Sequence, residues 1–398
     1  RTYDVVTWAD EHGRVGELVQ AALRQNPQNA ELLALAEAVG AWHVESPVPA
    51  ATAPYKGLEF YDVADAASFF GRETLAGELA AHLKDHRFLA VVGASGSGKS
   101  SVVRAGVIPA LRQGQVVKGS ERWSVHVVTP TARPLLALAA ELTQDSESVT
   151  AQATLMDDMA KEPRSLDLFA SRLIARTDAP RLLLVVDQFE ELFTLCNDGA
   201  EQNAYINNLL AAAVADGVTS VVITLRADFY ARCAQFGGLR AALQNHQKYI
   251  GPMARNELRT AIEEPALQKG WSFEPGLVDV ILDDVASEAG ALPLLSHALL
   301  ETWKLRSGRT MTFGGYHATG GVQGAIARTA EAVYADLLPA QQTIARNVFL
   351  RLTTLGEGVQ DTRRRVALGE LLGSGEQAEQ VQAVLKRLAD DRLITTEQ

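Results

Sequence analysis

The sequence predicts an α/β protein: a parallel sheet covered by helices on both faces, followed by a portion built from helices alone. Three observations predict it. Short apolar runs alternate with helical patterns from Tyr55 to about residue 255. The first of these runs, "RFLAVVG", leads into a glycine- and serine-rich loop and then a helix. Beyond residue 255 the apolar residues recur at helical spacing and no further strand is expected.

Residues 1–40 read as a small helical module. Leu18, Val19, Ala22 and Leu23 sit at helical spacing, "NPQN" (Asn26 to Asn29) breaks the pattern, and "AELLALAEAVG" ends at Gly40. Residues 41–54 form a linker, since "ESPVPAATAP" has three prolines in ten positions and no period. Leu75, Leu79 and Leu83 then stripe one helix. The strands are "RFLAVVG" (87–93), "SVHVVTP" (124–130), "RLLLVVD" (181–187) and "SVVITL" (220–225), with a fifth around Tyr249-Ile250. "NELRTAIEEPAL", "GLVDVILDDVASEAG", "LPLLSHALLETWKL", "AIARTAEAVYADLL", "TIARNVFLRLTTL" and "VQAVLKRLADDRLI" are the later helices. No repeat recurs at a solenoid or propeller period.

A length of 398 residues implies two to four domains. Hydrophobic residues at 47% and charged residues at 21% are ordinary for a folded, soluble chain. No apolar run approaches the ~18 residues of a membrane span, and no secretory leader is visible. The chain begins at Arg1, which leaves a trimmed leader open. Only Cys196 and Cys233 are present, so neither a disulfide framework nor a four-cysteine zinc site is expected, and a cytoplasmic location follows. A net charge of −11 argues against broad nucleic-acid binding. The most basic run, Arg363-Arg364-Arg365, reads as a solvated turn.

Gly93-Ala94-Ser95-Gly96-Ser97-Gly98-Lys99-Ser100 fits G-x-x-x-x-G-K-[ST] in full, with Ser101 following. Glycines let backbone N–H groups turn inward around phosphates, and a helix starting near Gly98 aims its positive end at them. Lys99 is placed for the terminal phosphates and Ser100 for magnesium. A strand before the loop and a helix after it are the context the motif needs.

A second metal-orienting carboxylate should end another strand. "LLLVVDQFEEL" provides Asp187 for the metal, with Glu190 and Glu191 beyond it as candidates for the base that polarises the attacking water. Paired glutamates also suit a solvated helix start, so the sequence leaves the choice between them open. No D-x-x-G or N-K-x-D follows, so adenine is expected rather than guanine. Arg226 ends the next strand at the edge where such sheets bind ligands. It reads as a sensor of the terminal phosphate, or else as the ion-pair partner of Asp228.

"YKGLEFYDVADAASFFGRE", "VVGASGSGKSSVVRAG", "LLLVVDQFEELF", "TLRADFYARC" and "GALPLLSHAL", in this order across residues 55 to about 395, resemble the STAND NTPases. Within them the chain resembles the bacterial branch with a D-Q-F-E-E Walker B, often linked to β-propeller or helical repeats. The resemblance implies an ASCE-type P-loop NTPase sheet over 55–240, an all-α lid over 241–312 and a winged helix over 313–398. It implies ATP or ADP with Mg2+ as ligands. Phe70, Gly71 and Arg72, with Glu73, match the family's G-R-E element near the base, and Pro293 matches the G-x-P proline that closes over adenine, with Ala291 where that motif has glycine. Residues 1–40 resemble a small effector-associated module. The implied role is a slow ATPase switch that self-associates on activation and clusters effector modules, in bacterial conflict or antiviral defence. A C-terminal sensor region is implied as well; no sensor repeats follow "RLITTEQ", so it either was removed or lies elsewhere. Two rivals stand beside this reading. One is a transcriptional regulator whose winged helix binds DNA, for which Lys386, Arg387 and Arg392 are offset by Asp390 and Asp391. The other is a fast remodelling motor.

Overall fold

The five strands expected from the sequence form one parallel sheet: β1 Phe88–Gly93, β2 Ser124–Val128, β3 Leu182–Val186, β4 Thr219–Arg226 and β5 Gln247–Tyr249. They are seen in a computed structural model that describes residues 52–144, 149–286, 291–354, 362–363, 366, 368–371, 376–390 and 393–394. The module expected over residues 1–40 and the linker up to residue 51 lie outside the described residues. The spatial order is β2-β3-β4-β1-β5, and each neighbouring pair is parallel. β4 thus separates the strand that leads into the glycine-rich loop from the strand that ends at Asp187, which is the ASCE order.

Apolar runs make this sheet because both faces are covered. Leu89, Val91, Leu183, Val185 and Val222 pack into one layer with Leu79, Leu83, Val102 and Ile108. Ala90, Val92, Leu184, Val186 and Ile223 point the other way, into a layer with Leu135, Leu138, Leu209 and Leu243. Successive side chains alternate between faces, so each buried strand reads as continuous hydrophobe.

The covering helices are α1 Glu73–Asp85, the helical run α2 over 99–112, α3 Pro134–Leu142, α4 Val149–Lys161, α5 Ser165–Thr177, α6 Glu191–Thr194, α7 Gly199–Ala212, α8 Tyr230–Cys233 and α9 Gly237–Asn245. In α2 the turns over Val102–Val107 are wound as π-helix, a distortion that recurs at functional sites. The sheet is followed by α10 Arg255–Gln268, α11 Leu277–Ala286, α12 Leu292–Lys304, α13 Phe313–Thr319, α14 Gly321–Asp336, α15 Pro339–Leu352, α16 Leu368–Leu371 and α17 Glu376–Asp390.

Strands do continue past residue 255, contrary to expectation. Ser272–Phe273 pairs parallel with Thr310–Met311, as β6 and β7, and Thr353–Thr354 pairs antiparallel with Thr362–Arg363, as β8 and β9. Two-residue strands are too short for alternation to register in a sequence. β8 and β9 adjoin a small core of Val333, Ala345, Val348, Val384 and Leu385 between α14, α15 and α17. The fold class is therefore the expected one: an ASCE-type P-loop sheet followed by a helical portion.

Candidate functional site

Parallel strands place Gly93, Arg226 and the residue after Val186 at one sheet edge, since Gly93 pairs with Arg226 and Val186 with Ile223. This C-terminal edge is where open α/β sheets bind ligands. The loop 93–98 leaves β1 here and re-enters helix at Lys99. Gly98 caps that helix at φ +86°, a left-handed conformation that only glycine adopts at no steric cost. Lys99 is 8% exposed. Its ammonium donates to the carbonyls of Gly93 (3.1 Å) and Ala94 (2.8 Å), and burial pulls its pKa below the usual lysine value. The Ser97 hydroxyl is buried with no hydrogen-bond partner among the described residues. An orphaned donor beside a buried cation and a helix N-terminus fits a phosphate.

Asp187 follows β3 and is 1% exposed. A buried carboxylate needs hydrogen-bond partners, and Asp187 has several. Ser100 Oγ (2.8 Å) and Thr224 Oγ1 (2.7 Å) donate to Oδ1, as does the Gln188 N–H (3.1 Å). Arg104 Nε donates to Oδ2 at 2.9 Å. The same guanidinium reaches Asp62 at 3.5 Å and lies over the Phe60 ring. Gln188 is held at φ +53°, an uphill conformation for a residue with a Cβ. Its N–H also donates to Thr224 Oγ1 at 2.8 Å, which helps hold the turn. A hydroxyl and a carboxylate oxygen are hard donors of the kind magnesium takes, so Ser100 and Asp187 fit that ion.

The two glutamates separate clearly. Glu190 Oε2 accepts the Arg226 N–H at 3.2 Å and shares an electrostatic environment with Lys99 and Arg226. Burial raises its pKa, opposed by hydrogen bonds and by those cations. Glu190 is 8% exposed; Glu191 begins α6 and is 2% exposed. Arg226 itself forms a two-point ion pair with Asp228 (3.1 and 2.7 Å) and stands over Phe229, the second of the two arrangements its position allowed.

The Phe70-Gly71-Arg72 element is tied to the chain that follows β5. Arg72, 8% exposed, donates to the Gly251 carbonyl at 2.7 Å and pairs with Glu257 at 3.5 Å. It ties the segment before α1 to the chain that leaves the sheet for α10. Gly71 is at φ +86°, and a Cβ there would overlap the Glu257 carbonyl oxygen and stand 2.8 Å from Met253 Cε. Gly71→Ala is expected to cost about 2–4 kcal/mol, from backbone strain and overpacking together. Urea denaturation measures it, and a loss below about 0.5 kcal/mol contradicts this packing. Pro293 sits in the first turn of α12. Its neighbour Leu292 comes within 3.6 Å of the position a Gly98 Cβ would occupy, so α12 begins against the phosphate loop.

Sequence reasoning missed Arg104 and Thr224. Arg104 lies one helical turn beyond Ser100, a spacing that shares a face. Thr224 is the polar exception inside the apolar "VVITL", and such local inconsistency tends to mark sites.

The chain matches the family model described as Novel STAND NTPase 1, nSTAND1, over residues 54–398. No curated protein matches the sequence. Among solved structures it is similar to the Aeropyrum pernix ORC2 protein in its ADPNP–ADP complexes, at 14% identity and a TM-score of 0.46 over 82% of this chain and 87% of that one. It is similar also to a Walker-type ATPase of Pyrococcus abyssi, at 13% identity and a TM-score of 0.44 over 86% of this chain and 95% of that one. The Aeropyrum pernix ORC1 protein in complex with DNA gives 17% and 0.44 over 81% and 84%. The family model covers the sheet, the site and the helices after it, and this chain belongs to the nSTAND1 family of STAND NTPases.

Proposed function

We propose that the chain is an ATP/ADP-controlled signalling switch that hydrolyses ATP slowly to reset itself and self-associates when active. The observation that carries this reading is that α12 begins against the phosphate loop, with Leu292 over Gly98. Arg72, joined to Gly251 and Glu257, ties the same region to α10. An occupant of the loop is thereby in contact with both the sheet (55–240) and the lid (241–312). A ligand shifts such an arrangement only by its differential affinity for the alternatives, and the terminal phosphate is the group by which ATP and ADP differ.

Lys99 is the cation that meets the terminal phosphates, leaving its carbonyl partners in the loop. Backbone N–H groups of 94–101 and the Ser97 hydroxyl complete the cradle. Ser100 and Asp187 are the residues that would hold magnesium, which supplies neutralisation of phosphate charge when bound. Glu190 accepts a proton from the attacking water, because its carboxylate accepts the Arg226 N–H and feels the Lys99 charge. Arg226 exchanges Asp228 for the terminal phosphate and so reports its presence. Phe70, Gly71, Arg72 and Pro293 border the adenine.

Burial raises the Glu190 pKa, and a base acts only when ionised. The acid limb of the hydrolysis profile is therefore expected to lie above the ordinary glutamate value of about 4.3. A profile flat down to that value contradicts the assignment.

The remaining parts follow the family resemblance: a winged helix over 313–398, an effector-associated module over 1–40, a sensor region beyond the sequence, and action in the cytoplasm in bacterial conflict. Among the described residues no helix is long and apolar enough to cross a membrane. The test is the nucleotide carried by the purified protein together with its oligomeric mass, with and without ATP. Retained ADP at low mass and a higher mass with a non-hydrolysable ATP analogue are expected. Nucleotide uptake with neither a change of shape nor of mass overturns the switch.

A further inference from the structure

We infer that His82, His86 and His246 form a binding site for a divalent transition-metal ion of the zinc type, at the sheet edge opposite the phosphate loop. His82 lies in the last turn of α1, His86 is the residue that ends it, and His246 precedes β5. β1 begins at Phe88 and β5 at Gln247, so the imidazoles gather where these two parallel strands start. The phosphate loop leaves the other end of β1, six residues away, about 20 Å along the strand. The site is thus independent of the nucleotide chemistry.

Every pair of rings is close, with centroids 4.4 Å apart for His82 and His86, 4.8 Å for His86 and His246, and 5.7 Å for His82 and His246. One ring nitrogen from each lies within 4.8 Å of the others. A tetrahedral ion with bonds of about 2.0–2.1 Å holds its nitrogens roughly 3.3 Å apart. Closing the site therefore takes movements of about 1–1.5 Å shared among the rings, of which exposed His86 is the freest to turn.

Two further observations point to a ligand rather than to packed rings alone. His82 Nε2 lies 3.2 Å from the Phe88 carbonyl. With its proton there it donates to that oxygen, fixes the ring and leaves Nδ1 as a lone pair, the outer-shell arrangement typical of metal-bound histidine. His246 Nδ1 is buried and has no hydrogen-bond partner among the described residues. A coordinate bond would satisfy it, whereas ring stacking does not. Burial and the neighbouring imidazoles lower the pKa values of His82 and His246, so both are neutral near pH 7, the form a metal takes.

Three imidazoles with no thiolate or carboxylate among them select zinc, nickel or copper over magnesium or calcium. Exposure at His86 leaves a fourth position to water. Charges of both signs surround the cluster: Asp85 acts on His82 and Lys248 is paired with Glu78, while Lys84 shares the last turn of α1 and Arg87 and Arg181 are turned onto the Gly217 and Leu83 carbonyls. An ion here joins the end of α1 to the start of β5, a three-residue edge strand paired with β1.

The test uses the full chain without an affinity tag, in excess magnesium so that the Ser100–Asp187 site is not the reporter. Zinc is titrated against a chromophoric chelator, and melting is followed in parallel. One zinc equivalent and a raised Tm are expected for the parent chain. His86→Ala, at an exposed position, should weaken uptake by about a hundredfold and abolish the Tm shift with nucleotide binding unchanged, and His86→Cys should restore uptake. His246→Ala should behave like His86→Ala. Should that variant fail to fold, His86→Ala decides alone. No stoichiometric zinc in the parent chain, or equal uptake by His86→Ala, overturns the proposal.

Discussion

Glu190→Gln is expected to leave nucleotide uptake unchanged and to slow hydrolysis by about 10²–10⁴-fold. Glutamine keeps the shape of the side chain and can still accept the Arg226 N–H through its amide oxygen. What it loses is the capacity to take a proton. The partner experiment is Glu191→Gln, which alters a 2% exposed group at the start of α6 and should move stability more than rate. Single-turnover measurement with ATP separates these effects. Wild-type hydrolysis by Glu190→Gln removes this residue as the base and hands the role to Glu191.

Lys99→Ala should weaken nucleotide binding by about 10²–10³-fold, the cost of deleting one partner of a buried charge contact. Binding titration with a fluorescent nucleotide measures it. The fold should survive, because among the described residues the hydrogen bonds of Lys99 go to two carbonyls of its own loop. A variant with near-parental affinity contradicts the placement of the phosphates. Retained affinity with lost hydrolysis instead marks Lys99 as a purely catalytic cation.

The sheet was legible because four of its strands are at least five residues long and rich in apolar residues, two of them, over 88–92 and Leu182–Val186, without a polar residue. The phosphate loop was legible because its chemistry is local: a capping glycine, a lysine and a hydroxyl within a few positions. Asp187 was legible as the first charge after a wholly apolar strand. Contacts made across the fold were not. Nothing near Arg104 in the sequence says that it neutralises a carboxylate 83 residues away, and nothing near Leu292 says that it meets Gly98. Glu190 and Glu191 are adjacent and chemically identical. Only the fold, through the tight turn at Gln188, brings the Glu190 carboxylate to the Arg226 N–H. The triple-histidine cluster joins residues on either side of nearly the whole sheet, and no short window contains it.

The exit from the sheet has a mechanical consequence. The N–H of Ile250 donates to Val92 at 2.7 Å, and the next residue's carbonyl takes the Arg72 guanidinium, so the chain turns away from β5 right beside the strand that feeds the loop. The 14 residues of α10 beyond it form a rod about 21 Å long. A tilt of about 10° at so short a fulcrum sweeps the far end of that rod through nearly ~4 Å, a displacement large enough to cover or uncover a neighbouring surface.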